Sequence, residues 1–209
     1  MPPAGRVALY GTALLSGAGG DGDTARGMGV PIILRTMAST YYGEAVVAGN
    51  IENYAGLSTR GGDSGSGAGG AGDIVQILTA SHAHVGVVNR GAMDGSGGTG
   101  HTAGGAGGGL LIVTGMDIQN YGPVDGSGGN AVNGPGGPGG LVQFDNYMVP
   151  TTPEGATYNS GAFDLSGGNG LSGGDSGTVI ISAPNDVENS GDIDVHGGDS
   201  SGAGGSGGI

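Results

Sequence analysis

Residues 89–113 read NRGAMDGSGGTGHTAGGAGGGLLIV, and the chain returns to this pattern throughout its length. The first half, Asn-x-Gly-x-apolar-Asp-x-x-Gly-Gly, recurs at 120–129 (NYGPVDGSGG), 159–168 (NSGAFDLSGG) and 189–198 (NSGDIDVHGG). A looser copy lies at 53–62 (NYAGLSTRGG) and a degenerate one at 11–20 (GTALLSGAGG). Terminal repeats of a stacked array are expected to be atypical. The second half, Gly-Gly-x-Gly-Gly or a near variant, starts at Gly69, Gly104, Gly136, Gly173 and Gly204.

Six residues beyond the first glycine of that half lie Val75, Leu110, Val142 and Val179, and eight residues beyond lie Ile77, Ile112, Phe144 and Ile181. Apolar residues at alternate positions mark a strand with one buried face. A shorter strand is predicted at Met93, Val124, Phe163 and Ile193. The two glycine pairs stand 6 to 8 residues apart in every copy, whereas the return from strand to next Asn varies from 8 to 15 residues. A disordered linker drifts in length and a packed element does not, so the glycine-rich arm is read as structured.

These observations predict one all-β domain, a parallel β-helix or solenoid of about six irregular coils with stacked glycine-rich arms. The coils run approximately over 7–49, 50–86, 87–117, 118–156, 157–186 and 187–209. Stacked at the spacing of neighbouring strands, about 4.8 Å, they make a rod roughly 30 Å long. The last residues, 204–209, stop where the strand of a new coil should begin, which suggests a longer chain or a layer completed by a neighbour.

Composition narrows the classes. Of 209 residues 55 are Gly, against an ordinary share of about 7%, and no stretch keeps Gly at every third position as collagen does. With no Cys there is no disulfide framework, thiol nucleophile or Cys-ligated metal. Lys is absent as well, and five Arg against 18 acidic residues leave a net charge of −13. That field repels nucleic acid, whose binding needs a basic footprint. No apolar run approaches the roughly 20 residues of a membrane span, and residues 1–6 carry no signal-peptide pattern.

The arm has two readings: a loop whose glycines take positive φ, or an extended three-residue left-handed helix of polyproline II type. Pro135 and Pro138 fit the second. Such helices have no internal hydrogen bonds, so stacked arms would have to satisfy one another. The Asn-x-Gly-x-Ile-Asp-x-x-Gly-Gly and Gly-Gly-x-Ile-x-Ile pattern resembles that of secreted bacterial and archaeal glycine-rich β-helix proteins. The likeness runs from about Val7 onward. The arms resemble the polyglycine-rich helix bundles of some phage tail-fibre adhesins. The resemblance implies a fold and a surface location, and supplies no active site.

Asp94, Asp125, Asp164 and Asp194 share one repeat position, with Ser58 and Ser16 in the matching slots. A column of carboxylates would suit Ca²⁺; the same residues would equally bond turn amides, and the sequence favours that use. Asn53, Asn89, Asn120, Asn159 and Asn189 form a second column, suited to an amide ladder along the stack. His82 and His84 would share a strand face but lack a third ligand nearby, and His101 and His196 sit in arms. Gly-x-Ser-x-Gly occurs around Ser172 and Ser200, without the helix a nucleophile elbow needs. No catalytic, cofactor-binding or metal-binding set is assigned, and the chain is read as non-enzymatic. The expected role is structural and extracellular: a subunit or segment of a filament, sheath or surface layer that self-associates. An adhesin or receptor-binding tip contacting a surface glycan is the alternative, with Tyr41, Tyr42, Tyr147 and Tyr158 as contact residues. A polysaccharide-active β-helix enzyme ranks third, because clustered acids beside basic or aromatic partners are missing.

Overall fold

The fold is that of a computed structural model, which describes residues 7–9, 14–23, 27–35, 39–41, 44–46, 50–79, 86–146 and 155–208. Among the described residues there is no helix. The chain opens with β1 (Val7–Leu9), β2 (Leu14–Ser16) and β3 (Ile32–Arg35), followed by the hairpin β4 (Ser39–Tyr41) and β5 (Glu44–Val46). Three strands then recur on every pass. They are β6 (Ile51–Asn53), β7 (Gly56–Ser58) and β8 (Ile74–Leu78); then β9 (Val87–Asn89), β10 (Met93–Asp94) and β11 (Gly109–Thr114). The next passes supply β12 (Ile118–Asn120), β13 (Val124–Asp125) and β14 (Leu141–Asn146), then β15 (Thr157–Asn159), β16 (Phe163–Asp164) and β17 (Thr178–Ser182). Last come β18 (Val187–Asn189) and β19 (Ile193–Asp194).

Among the described residues five passes contribute one strand to each of three parallel sheets and the last pass to two of them, in the orders β1-β6-β9-β12-β15-β18, β2-β7-β10-β13-β16-β19 and β3-β8-β11-β14-β17. The molecule is a parallel β-solenoid. The repeat alignment matches the observed register: Leu110 pairs with Val75 and Val142, Ile112 with Ile77 and Phe144, and Met93 with Leu57 and Val124. One element differs from expectation. The segment read as a simple return ends in a strand of its own, so the solenoid has three walls and not two. That strand is three residues long and finishes on the repeat's Asn, too short to show a period-2 pattern.

The three walls enclose a largely apolar interior. Val75, Ile77, Val87, Leu110, Ile112, Ile118, Val142 and Phe144 are fully buried, and Phe144 meets Phe163 edge-on at 5.7 Å between ring centroids. Burying each such side chain contributes about 1.5–3 kcal/mol. Leu165 adds a large side chain where earlier passes have Gly95 and Gly126, and it fills space beside Gly126.

Between its second and third strands each pass runs out and back as two glycine-rich limbs. Outgoing limbs bond to each other along the stack: Gly61 N–H to Ser96 O (2.9 Å), Gly97 N–H to Ser127 O (2.8 Å) and Gly128 N–H to Ser166 O (2.8 Å). Returning limbs do the same, Gly69 to Ala103 O and Gly104 to Pro135 O. A third set ties limb to limb in a zigzag: Gly98 donates to Gly70 O, Gly105 to Gly98 O, Gly129 to Gly105 O and Gly137 to Gly129 O. Bonds to the pass above recur every third residue, at Gly97 and Gly100 and at Gly104 and Gly107, the period of polyproline II. The glycines with positive φ among the described residues, Gly109 and Gly155, lie outside the limbs. Glycine therefore serves close approach, and the positive-φ loop reading is set aside. A Cβ on Gly129 would stand 2.0 Å from Gly98 O, and one on Gly105 1.9 Å from Gly70 O.

Candidate functional site

Four columns of polar or aromatic side chains follow from stacking in register. The Asn column lies inside the wall. Nδ2 of Asn53, Asn89, Asn120 and Asn159 each donates to Oδ1 of the next Asn, at 2.7–2.8 Å. The second amide hydrogen goes to the carbonyl two residues on, that of Ala55, Gly91, Gly122, Gly161 or Gly191. Both amide donors are thus satisfied in the buried members, which makes the column a seam of the wall with no free group to offer a ligand.

The Asp column caps turns. Oδ1 of Asp94, Asp125 and Asp164 accepts the backbone N–H and the hydroxyl of Ser96, Ser127 and Ser166. In the last copy His196 replaces the serine and bonds Asp194 through both its backbone N–H and Nδ1. The hydrogen bond that His196 Nδ1 donates to Asp194 raises the His196 pKa and lowers that of Asp194. These carboxylates, with Asp192, line an open groove on the outside of the second sheet. Among the described residues no cluster of three His, Asp or Glu has the arrangement to hold a metal ion. The sequence cue to this role is the Ser two residues after Asp94, Asp125 and Asp164.

A third column, at the arm tips, escaped sequence reasoning. In four passes the residue after the outgoing Gly-Gly binds the pass above it: Asp21 Oδ1 accepts Asp63 N–H, Asp63 Oδ1 accepts Thr99 N–H, and Asn130 and Asn169 Oδ1 accept the N–H of Asn169 and Asp199. Asp63 also takes an ion pair from Arg60 at 2.8 Å. Burial opposes ionisation of Asp63, but the Thr99 N–H and the guanidinium outweigh it and hold its pKa below the usual range. The same bond raises that of Arg60. Asp175 does similar work on the returning side, where bonds from Ser206 lower its pKa.

The fourth column is an exposed row on the first sheet. The Arg90 guanidinium lies 4.3 Å from the Tyr121 ring centroid and 5.9 Å from that of Tyr54, and Tyr121 meets Tyr158 at 5.5 Å. Of the tyrosines expected to make contacts, Tyr158 belongs to this row, Tyr41 closes β4, and Tyr42 and Tyr147 lie outside the described residues, as do His82 and His84. Tyr54, Arg90 and Tyr121 were missed because they sit inside the repeat and not in an insertion.

The remaining candidates are arm residues. His101 Nε2 lies 3.0 Å from Asn133 Nδ2 at an arm tip. Ser172 O accepts from Gly136 N–H, Ser200 Oγ is buried without a hydrogen-bond partner, and no helix follows either serine. No helix among the described residues is long and apolar enough to cross a membrane. No family model, characterised protein or solved structure matches the chain.

Proposed function

We propose that this chain is a structural, non-enzymatic extracellular element, a subunit or segment of a filament, sheath or surface layer. The observation that carries the reading is the arm array. In the inner passes backbone N–H and C=O groups of each limb bond to limbs above, below and beside it, and at most of their glycines a Cβ would collide with neighbouring backbone. A block cross-linked in three directions resists bending and local opening better than a loop on a scaffold, and a large share of each repeat goes into it. The resemblance to secreted glycine-rich β-helix proteins supports the location. Immunogold electron microscopy on the producing cells tests it: label is expected along fibres, a sheath or the outer layer, and label confined to the cytoplasm would end the reading.

A second reading, adhesion, has one observation in its favour. Tyr54, Arg90, Tyr121 and Tyr158 present aromatic faces and a cation in a row on a stiff support, the residue types enriched where proteins bind. A glycan array probed with the wild-type chain and with Tyr121→Ala separates the two: signal lost in the variant supports adhesion, and no signal leaves the structural role.

A further inference from the structure

We infer that the corner where the third wall passes into the first, between β14 and β15, is a buried water-binding site formed by Asn146 and Thr157. This site goes beyond the proposed function and does not depend on it.

Alternation along the third wall carries its inward face past Val75 and Ile77 to Thr79, past Leu110 and Ile112 to Thr114, and past Val142 and Phe144 to Asn146. Thr114 and Asn146 are paired in register. The inward column of the first wall runs Ile51, Val87, Ile118, Thr157 and Val187, so Thr157 puts a hydroxyl where its neighbours are apolar. Asn146 is 3% and Thr157 1% exposed. In the layers beneath, the polar column is satisfied: Thr79 Oγ1 donates to Thr114 Oγ1 at 3.0 Å, and Thr114 Oγ1 accepts Met116 N–H at 3.3 Å. At the next corner Asn146 Nδ2, Asn146 Oδ1 and Thr157 Oγ1 are all buried without a hydrogen-bond partner. Ser200 Oγ, the other such atom among the described residues, stands by itself in the last arm.

The longer connection is the cause. The chain takes 4 residues from Thr114 to Ile118 but 11 from Asn146 to Thr157. Because Ile118 pairs with Thr157, Gly155 stands in the place of Met116. Gly155 lies against the Asn146 amide, where a Cβ would collide with Nδ2. Its N–H nevertheless leaves that side chain unbonded, whereas the N–H of Met116 caps Thr114. The Gly155 contact also brings the Asn146 amide to the start of β15, two residues before Thr157.

Turning the amide over exchanges Nδ2 and Oδ1 and pairs neither, since both lack a partner. A buried amide and hydroxyl left in this way lose their hydration with nothing in return, which folded proteins avoid. The three atoms also define their occupant. It must accept from Nδ2 and donate to Oδ1, while the Thr157 hydroxyl serves either way. A metal cation would face the Nδ2 hydrogens and an anion would face Oδ1, and no buried side chain among the described residues is charged to balance either. Water is neutral, both donates and accepts, and makes about three hydrogen bonds when buried. Thr157 lacks the terminal methyl that Ile51 and Ile118 carry at this position, which leaves room beside its hydroxyl.

Magnetic relaxation dispersion of the water signal counts water molecules that stay buried long enough to tumble with the protein. Asn146→Thr combined with Thr157→Val rebuilds the corner from residues that neighbouring layers carry, Thr79 and Thr114 in one column and Val87 and Val187 in the other. The circular dichroism of this double variant is expected to match wild type, and its dispersion amplitude to fall by the share of at least one long-lived water. Equal amplitudes in the two proteins overturn the inference. Should the double variant lose the wild-type circular dichroism, Thr157→Val alone decides through its melting temperature. A value below wild type is expected, because the water loses a partner and Asn146 stays buried. A value equal to or above wild type means that the hydroxyl was buried unpaired, and it overturns the inference. None of these results bears on the immunogold labelling, which tests location.

Discussion

At the scale of single residues, steric exclusion separates glycines that look alike in the sequence. Gly129→Ala puts a methyl 2.0 Å from the Gly98 carbonyl, and backbone on backbone cannot yield as a side chain would. We expect a loss of more than about 3 kcal/mol or failure to fold, measured by urea unfolding. Gly207→Ala, with open space around it, is expected to leave the unfolding midpoint unchanged. Acid sensitivity is also a residue-level property. Asp63, Asp175 and Asp194 all have pKa values lowered by the bonds they accept. Each therefore contributes stability that is full above the unfolded carboxylate pKa, about 3.9, and is lost as pH falls through the folded value. A melting temperature that holds down to pH 4 and drops below it is expected. His196 runs the other way. Its pKa is raised, so its contribution is full below about 6.5 and disappears as pH rises through the folded value. A His196→Gln variant should trail wild type at pH 5.5 and match it by pH 9, and an equal deficit at both would show that the Asp194 contact contributes nothing electrostatic.

At the scale of the element, the limb behaves as a three-fold helix in which each residue in a period has its own task. In the returning limb 104–108, Gly104 and Gly107 donate to the pass above and Gly105 and Gly108 to the other limb. Ala106 N–H makes no such bond, and its counterpart one pass on is Pro138. Proline at that position keeps every bond and restricts only the unfolded chain. Ala106→Pro is expected to stabilise by about 0.4–1 kcal/mol, seen as a higher urea midpoint with an unchanged slope. A loss of stability would mean that the limb does not hold φ near −65°.

For the molecule as a whole, stacking makes stability close to a sum over layers and the interfaces between them. Deleting residues 121–159 joins Asn120 to Ser160 and removes one complete pass, leaving β16 over β10 with Phe163 above Met93. Such a chain is expected to keep its β-type circular dichroism and a single melting transition, at a lower temperature because one layer is gone. Deleting half a pass, residues 121–140, shifts strands between walls and is expected to abolish cooperative melting.

Much of this architecture was legible from residue order alone. Valine, isoleucine and phenylalanine at alternate positions set the third wall and its register, because period 2 survives in a strand of five or six residues. Paired glycines at near-constant spacing marked the limbs, because a layer packed without side chains tolerates no insertion. The recurrent Asn and Asp announced their columns by position. Other features emerged only in three dimensions. The first wall is built from three-residue strands whose pattern is too short to read. The tip column mixes Asp, Thr and Asn, so no shared letter betrays it. Tyr54, Arg90 and Tyr121 follow the repeat's Asn while Tyr158 precedes its own, and only the stacking of coils brings these offset positions together. The limb-to-limb zigzag joins glycines of different passes, a proximity set by the distance between packed backbones, which glycine's lack of a side chain permits but does not specify.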